Sequence, residues 1–388
     1  MGARRRPLGW GESRRLWWLV WRGCPGVGWS RLTALERHFG DLGAAWRSPL
    51  EQLAAVPGMG PAVLGKLESY RRRLGPEPLS ALCRGGRPTR VLLPGDPAFP
   101  GALLELERPP LALHWQGCGR LWPPLRRREA VAVVGTRSPS RHGLVMARAI
   151  GKALAQAGWP VVSGLAEGID AAAHEGCLAQ GGRPVAVLGT PLERIYPRHH
   201  GELQRQVAAQ GLLMSEQPPG AGVHPGNFAA RNRLQVALAR AVVLVECPVV
   251  SGALQSAALA WDQGLPLWVV PADAGKVSAA GSNRLLARGA SALLDPTDLI
   301  SQLGPGPLKP AAGAAVQGRS VDRAGPAQAG FSLGGGQGEL LRVLGQGASL
   351  ENLCHDLGSP APEVASRLLE LELAGRVIAE PGLCWRPL

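Results

Sequence analysis

The chain has 388 residues, with 42 Lys and Arg against 29 Asp and Glu, a formal net charge of +13. That length is enough for about three domains and a sizeable core, and the positive balance suits a polyanionic partner. Seven scattered cysteines without a C-x-x-C pair argue against a disulfide-stapled or zinc-held scaffold, so reduced thiols in a cytoplasmic protein are expected.

Residues 1–90 hold 16 basic and 6 acidic side chains, with arginines clustered at Arg4 to Arg6, Arg14 with Arg15, and Arg71 to Arg73. The apolar run Leu16 to Trp21 is too short to span a bilayer and leads into no small-residue cleavage site, so no membrane insertion is expected. Two similar segments follow. Cys24-Pro-Gly26-Val-Gly28 precedes Leu32, Leu35 and Phe39, and Val56-Pro-Gly58-Met-Gly60 precedes Val63 and Leu67. Both read as a glycine hairpin feeding a helical face, which predicts a helix-hairpin-helix or SAM-like helical domain over residues 1–90. Glycine lets backbone amides approach a phosphate without obstruction, so sequence-independent nucleic-acid contact is one reading. A capping or protein-contact role is the other.

Over residues 91–303 the pattern changes to short apolar runs, each followed by a stretch long enough for a helix. They start at Val131, Val161, Val185, Leu212, Val242 and Leu267. Continuous apolar runs alternating with helices predict an α/β domain with a Rossmann-like, doubly wound parallel sheet, whose ligands sit at strand C-termini. The first two runs end in glycine turns, Gly135-Thr136-Arg137 and Ser163-Gly164, where helix N-termini would attract anions. No G-x-G-x-x-G follows the first run, so neither a dinucleotide nor any other cofactor is expected. Turn amides beside a guanidinium suit the phosphates of a polymer instead.

Asn227-Phe228-Ala-Ala-Arg231-Asn232-Arg233 opens the next helix. Phe228, Arg231 and Asn232 are three and four apart and share a face, so a base would stack on the ring while phosphates meet the arginines. The plainer reading is a buried Phe with two solvated arginines.

Catalytic readings are weaker. Asp170 and His174 are four apart, and His199 adjoins His200, but no third metal ligand accompanies either pair; Ser163 and Ser251 lie outside any G-x-S-x-G elbow. A non-enzyme without a metal is therefore expected. Glu167, Glu216 and Glu246 near strand ends leave a Rossmann-like nucleotide hydrolase as the enzyme alternative.

Residues 304–338, rich in Gly, Pro and Ala, predict a flexible tether. Residues 339–388 then predict a winged helix: helices at Glu339 to Leu344, from a Ser349 cap, and at Ala361 to Ala374, followed by strands around Gly375 to Ala379 and Cys384 to Arg386. Its third helix carries Glu363, Glu370 and Glu372 against Arg367, which disfavours duplex phosphate and points towards a protein-contact or regulatory role.

Val134-Gly-Thr-Arg137, Ser163-Gly-Leu-Ala-Glu-Gly-Ile-Asp170, Ile195-Tyr-Pro197, Ser215-Glu216, Phe228-Ala-Ala-Arg-Asn-Arg233 and Ser251-Gly252 run in an order that resembles the DNA processing protein A family, DprA, also called Smf. The resemblance implies a protein that binds and protects single-stranded DNA, loads the RecA recombinase in natural transformation, and pairs as a homodimer. It implies a binding site formed by Gly135, Thr136, Arg137, Ser163, Gly164, Asn227, Phe228, Arg231, Asn232, Arg233, Ser251 and Gly252. Arg137 would grip phosphate, Phe228 would stack on a base, and Arg231 to Arg233 would brace the groove. A recombinase adaptor with only secondary DNA contacts remains an alternative. The chain departs from the family pattern at Pro225, where relatives often carry lysine, within Gln235 to Ala239, and at Ala272.

Overall fold

The computed structural model describes residues 10–79, 90–308, 335–345, 347–380 and 384–387. The Arg4 to Arg6 cluster and most of the expected tether lie outside the described residues.

The described N-terminal residues include α1 (Glu12–Trp21), α2 (Trp29–Phe39), α3 (Leu42–Arg47), α4 (Leu50–Ala54) and α5 (Pro61–Leu74). Asp41 caps α3 by accepting from the Ala44 amide at 2.9 Å, and Pro61, which has no amide to leave unpaired, opens α5. The two glycine hairpins lie between α1 and α2 and between α4 and α5, and Gly26 and Gly58 both sit at φ 84°, where only glycine is unstrained. Arg31 donates to the carbonyls of both, at 2.7 Å each, and so holds the hairpins together. Trp18 and Trp21 are fully buried, and the Trp18 indole donates to the Leu111 carbonyl at 2.7 Å, tying this helical part to the segment that follows.

Among the described residues the central sheet has nine strands: β1 (Val91–Leu92), β2 (Leu113–Gly117), β3 (Val131–Val134), β4 (Val161–Ser163), β5 (Pro184–Leu188), β6 (Leu212–Ser215), β7 (Ala241–Leu244), β8 (Leu267–Val269) and β9 (Ser291–Ala292). Their order is β1-β2-β6-β5-β4-β3-β7-β8-β9. From β6 through β9 all neighbours are parallel, while β1 and β2 add an antiparallel edge. Every residue of β3 to β8 is buried, as expected of strands covered on both faces.

The covering helices are α6 (Trp122–Arg126), α7 (Arg141–Ala157), α8 (Ile169–Leu178), α9 (Gly201–Gln210), α10 (Pro225–Ala237), α11 (Gly252–Asp262), α12 (Ala280–Leu286) and α13 (Pro296–Leu303). Val131, Val133, Val161 and Val243 turn towards α7, α8 and α13, whereas Ala132, Val134, Val242 and Leu244 pack under α10, α11 and α12. The chain runs outwards from β3 through β4 and β5 to β6, then returns along α10 to β7 on the other side of β3. The order of strands therefore reverses between β3 and β7, which opens a crevice at their C-terminal ends.

The C-terminal part comprises α14 (Gly335–Leu344), β10 (Ala348–Ser349), α15 (Leu350–Leu357), α16 (Ala361–Leu373), β11 (Val377–Glu380) and β12 (Cys384–Pro387), with strand order β10-β12-β11. This is the winged-helix arrangement expected from the sequence. Ser349 caps α15 as expected, accepting from the Asn352 amide at 3.3 Å. Two details differ from the sequence reading. Helix α14 begins at Gly335, inside the segment read as a tether, and residues 304–308 pack back on the α/β body, with the Gly306 amide donating to the Ala157 carbonyl at 2.7 Å. On α16, Leu369 and Leu373 pack against the α/β core, and Glu372 is buried 3.7 Å from Arg90. Burial pushes the Glu372 carboxyl up, with Arg90 opposing.

Candidate nucleic-acid interface

The crevice between β3 and β7 holds a pocket of about 380 Å³. Three segments meet there: Gly135 to Arg137 after β3, the Phe228, Arg231, Asn232 and Gln235 face of α10, and Ser251, Gly252 and Ser256 at the start of α11. Arg137 is exposed, and its guanidinium carbon lies 5.4 Å from the centre of the half-buried Phe228 ring. The Tyr196 ring also packs against Phe228, with ring centres 4.7 Å apart. A smaller hollow, lined by Arg137, Gly164, Tyr196 and Phe228, flanks the pocket. Arg137 and Phe228 thus border both spaces and form the rim between them.

Arg231 lies deeper, 5 % exposed, with Nη2 3.3 Å from Asp170 Oδ2. Burial pulls its guanidinium below the ordinary value, and Asp170 opposes that shift. The same Asp170 oxygen accepts from the Gly164 amide at 3.0 Å.

Of the other residues expected in the site, Gly135, Thr136, Asn232, Ser251 and Gly252 line the pocket, and Gly164 lines the smaller hollow. Asn232 donates to the Gly252 carbonyl at 3.3 Å, linking α10 to α11, and Ser251 caps α11 by accepting from the Ala253 amide. Ser163 is fully buried and donates to the Val133 carbonyl at 2.6 Å, so its hydroxyl braces the sheet. Asn227 lies on the first turn of α10 outside the lining. Arg233 turns away: it grips Glu216 with two bonds, at 2.9 and 2.5 Å, and donates to the Arg108 carbonyl.

The turn amides differ from the expected phosphate cradle. The Thr136 amide donates to the Glu246 carbonyl at 2.7 Å and the Gly164 amide to Asp170, so both are engaged within the protein. Positive charge at the rim comes from the Arg137 side chain. Pro225, at the family's frequent lysine position, is the first residue of α10 and also borders the pocket.

Sequence reasoning missed Asp170 as the partner of Arg231, and Gln235 and Ser256 as pocket residues. Arg231 and Gln235 are four apart on α10, so the helical period was the available signal.

Of the groups weighed for catalysis, His174 is enclosed and the carboxylates of Glu167, Glu216 and Glu246 are paired within the protein. His174 is fully buried, neither of its nitrogens has a hydrogen-bond partner among the described residues, and burial, followed by Arg231 and His200, pulls it down to about 3. Glu246 accepts from Ser140 Oγ at 2.7 Å and Ser278 Oγ at 2.5 Å, with Lys276 3.7 Å away. Burial pushes its carboxyl up, yet these hydrogen bonds and the ammonium together hold it below its ordinary value. Glu167 faces His199 at 3.1 Å. Among the described residues no three metal-ligating side chains come together, and no helix is long and apolar enough to cross a membrane.

Residues 90–304 match the model of the DNA recombination-mediator protein A family. The chain belongs to that family. Residues 324–382 match its DprA winged helix domain. Protein Smf of Synechocystis is 38% identical over 303 residues, 76% of this chain and 74% of the relative. Protein Smf of Escherichia coli is 33% identical over 310 residues, 78% of this chain and 79% of the relative. Among solved structures, DNA processing protein A from Streptococcus pneumoniae is similar with a TM-score of 0.61 and 25% identity, over 75% of this chain and 97% of that one. The resemblance read from motifs 134–137, 163–170 and 228–233 thus extends over most of the recombination-mediator fold.

Proposed function

We propose that this recombination-mediator family member binds single-stranded DNA along the rim between β3 and β7, without cutting it, and delivers the strand to the RecA recombinase as a homodimer. The observation that carries this reading is the Arg137 guanidinium 5.4 Å from the Phe228 ring at the mouth of the crevice. A cation and a half-buried aromatic ring side by side are what an unpaired strand offers partners for: a phosphate and the face of its base. A duplex keeps its bases stacked inside and would meet only the arginine. The net charge of +13 adds long-range attraction for any polyanion.

A mobility assay comparing single-stranded and duplex oligonucleotides, with and without RecA, tests the proposal. Preferential retardation of the single strand, weakening steeply with salt, and faster RecA filament growth on the bound strand are expected. Equal binding to duplex, or salt-insensitive binding, would remove the strand reading. Normal strand binding without any effect on RecA would remove the delivery step. Release of inorganic phosphate or base from mononucleotides would favour a hydrolase.

A further inference from the structure

Tyr196 lies outside the crevice between β3 and β7 and borders only the smaller hollow, together with Pro197 from the same loop and Gly164 and Ala166 beyond β4. That hollow measures about 40 Å³, which holds a few waters and excludes a base. A base arriving there stays at its mouth, against the Tyr196 ring. Tyr196 is 43 % exposed and so offers open ring surface. Phe228 offers less. It is half-buried, with the Arg137 guanidinium and the Tyr196 ring against it, and a Cβ on Gly189 would stand 2.9 Å from its ring.

The loop after β5 that carries Tyr196 is braced by bonds to its backbone. Ser215 Oγ donates to the Thr190 carbonyl at 2.7 Å, Gln204 Nε2 to the Leu192 carbonyl at 2.8 Å, and Thr190 Oγ1 to the Arg194 carbonyl at 3.2 Å. A surface held in place beforehand loses little freedom on binding. The same loop carries positive charge. Arg194 and Arg198 are exposed, and among the described residues neither side chain has an ion pair or a hydrogen bond. Glu167, the carboxylate at the hollow, already faces His199 at 3.1 Å.

The geometry points to Tyr196 as a second base platform, with Arg198 meeting the phosphate beside it. The strand that begins at the Arg137 and Phe228 rim therefore continues across the ends of β4 and β5. Ring centres 4.7 Å apart lie within reach of neighbouring nucleotides of one strand, which are spaced by about 3.4 Å when stacked. The inference rests on the strand-binding reading above, and gives the strand a direction across the sheet.

Anisotropy of labelled oligo-dT of about 12 nucleotides, titrated with the full chain, tests both groups. Tyr196→Ala is expected to bind about tenfold more weakly, while Tyr196→Phe, which keeps the ring, binds like the parent. Arg198→Ala is expected to lower the slope of log affinity against log salt by about one. Because Tyr196 touches Phe228, a double variant separates a platform from a prop. Two platforms make Tyr196→Ala with Phe228→Ala about tenfold weaker than Phe228→Ala alone.

A double variant no weaker than Phe228→Ala overturns the inference, as does parent-like affinity in Tyr196→Ala or a parent-like salt slope in Arg198→Ala. Each of these leaves salt-sensitive strand binding by the parent intact, whereas absence of binding by the parent overturns both readings. If melting curves show that Tyr196→Ala does not fold, photo-crosslinking of a 4-thiothymidine oligonucleotide to the parent chain decides. Adducts within residues 190–200 are expected, and adducts confined to other segments overturn the second platform.

Discussion

Gly164 and Arg231 depend on each other: a Cβ placed on Gly164 would fall well inside van der Waals contact with the Arg231 guanidinium. The absence of a side chain at the β4 turn is what lets α10 lay a buried cation across it. Gly164→Ala is therefore expected to destabilise the fold by about 1 to 3 kcal/mol, as overpacking does, because Arg231 cannot retreat without leaving Asp170. Urea unfolding measures the change. A variant as stable as the parent would mean that Arg231 has room to move.

Asp170→Asn removes the negative partner of a cation that is 5 % exposed, while keeping an oxygen for the Gly164 amide. Stranding a buried charge costs about 3 to 5 kcal/mol. Glu216→Gln, at the more accessible Arg233 pair, is expected to cost clearly less, since water can reach that guanidinium. Parallel denaturation of the two variants checks the order; the reverse order would refute the assignment of Arg231 as the deeper charge.

Phe228→Ala and Arg137→Ala separate stacking from phosphate pairing. Loss of the ring is expected to weaken strand binding by about 1 to 3 kcal/mol at any salt concentration. Loss of Arg137 is expected to lower the slope of log affinity against log salt by about one. Salt titrations of both variants distinguish them, and identical slopes for parent and Arg137→Ala would show that this guanidinium meets no phosphate.

Two enclosed histidines make the fold sensitive to acid. Burial pulls His174 to about 3 and His114, with help from Arg22, to about 4, both below the ordinary 6.5. Above pH ~6.5 neither the folded nor the unfolded chain protonates them, and their contribution is fully present. As pH falls from there towards the folded values, only the unfolded chain takes up the protons, and stability drops by up to about 1.4 kcal/mol per pH unit for each histidine. Unfolding free energies between neutral pH and pH 5 should show this decline, and His174→Leu should flatten it. A variant declining as steeply as the parent would show that His174 is not the group responsible.

Six parallel strands were legible because each is buried on both faces and leaves an uninterrupted apolar run in the sequence, as at Val131–Val134 and Ala241–Leu244. Strands β1 and β9 are two residues long, the latter exposed, and β2 interleaves His114 and Gln116 with its apolar residues, so no such run marks them. Phe228, Arg231 and Asn232, three and four apart on α10, line one pocket. Expecting Arg233 beside Arg231 neglected that residues two apart on a helix point to different sides. The engagement of the Thr136 and Gly164 amides was invisible, because their acceptors, Glu246 and Asp170, come from elsewhere in the chain.

The position of α16 bears on how the C-terminal part can meet nucleic acid. In winged helices the third helix is the one that enters a major groove, and here its Leu369, Glu372 and Leu373 side lies against the α/β body beside Arg90 and Trp115. One side of a helix cannot occupy two seats at once. Insertion of that side into a duplex and its attachment to the body are mutually exclusive, so any duplex captured this way must first pry α16 loose and expose two leucines to water.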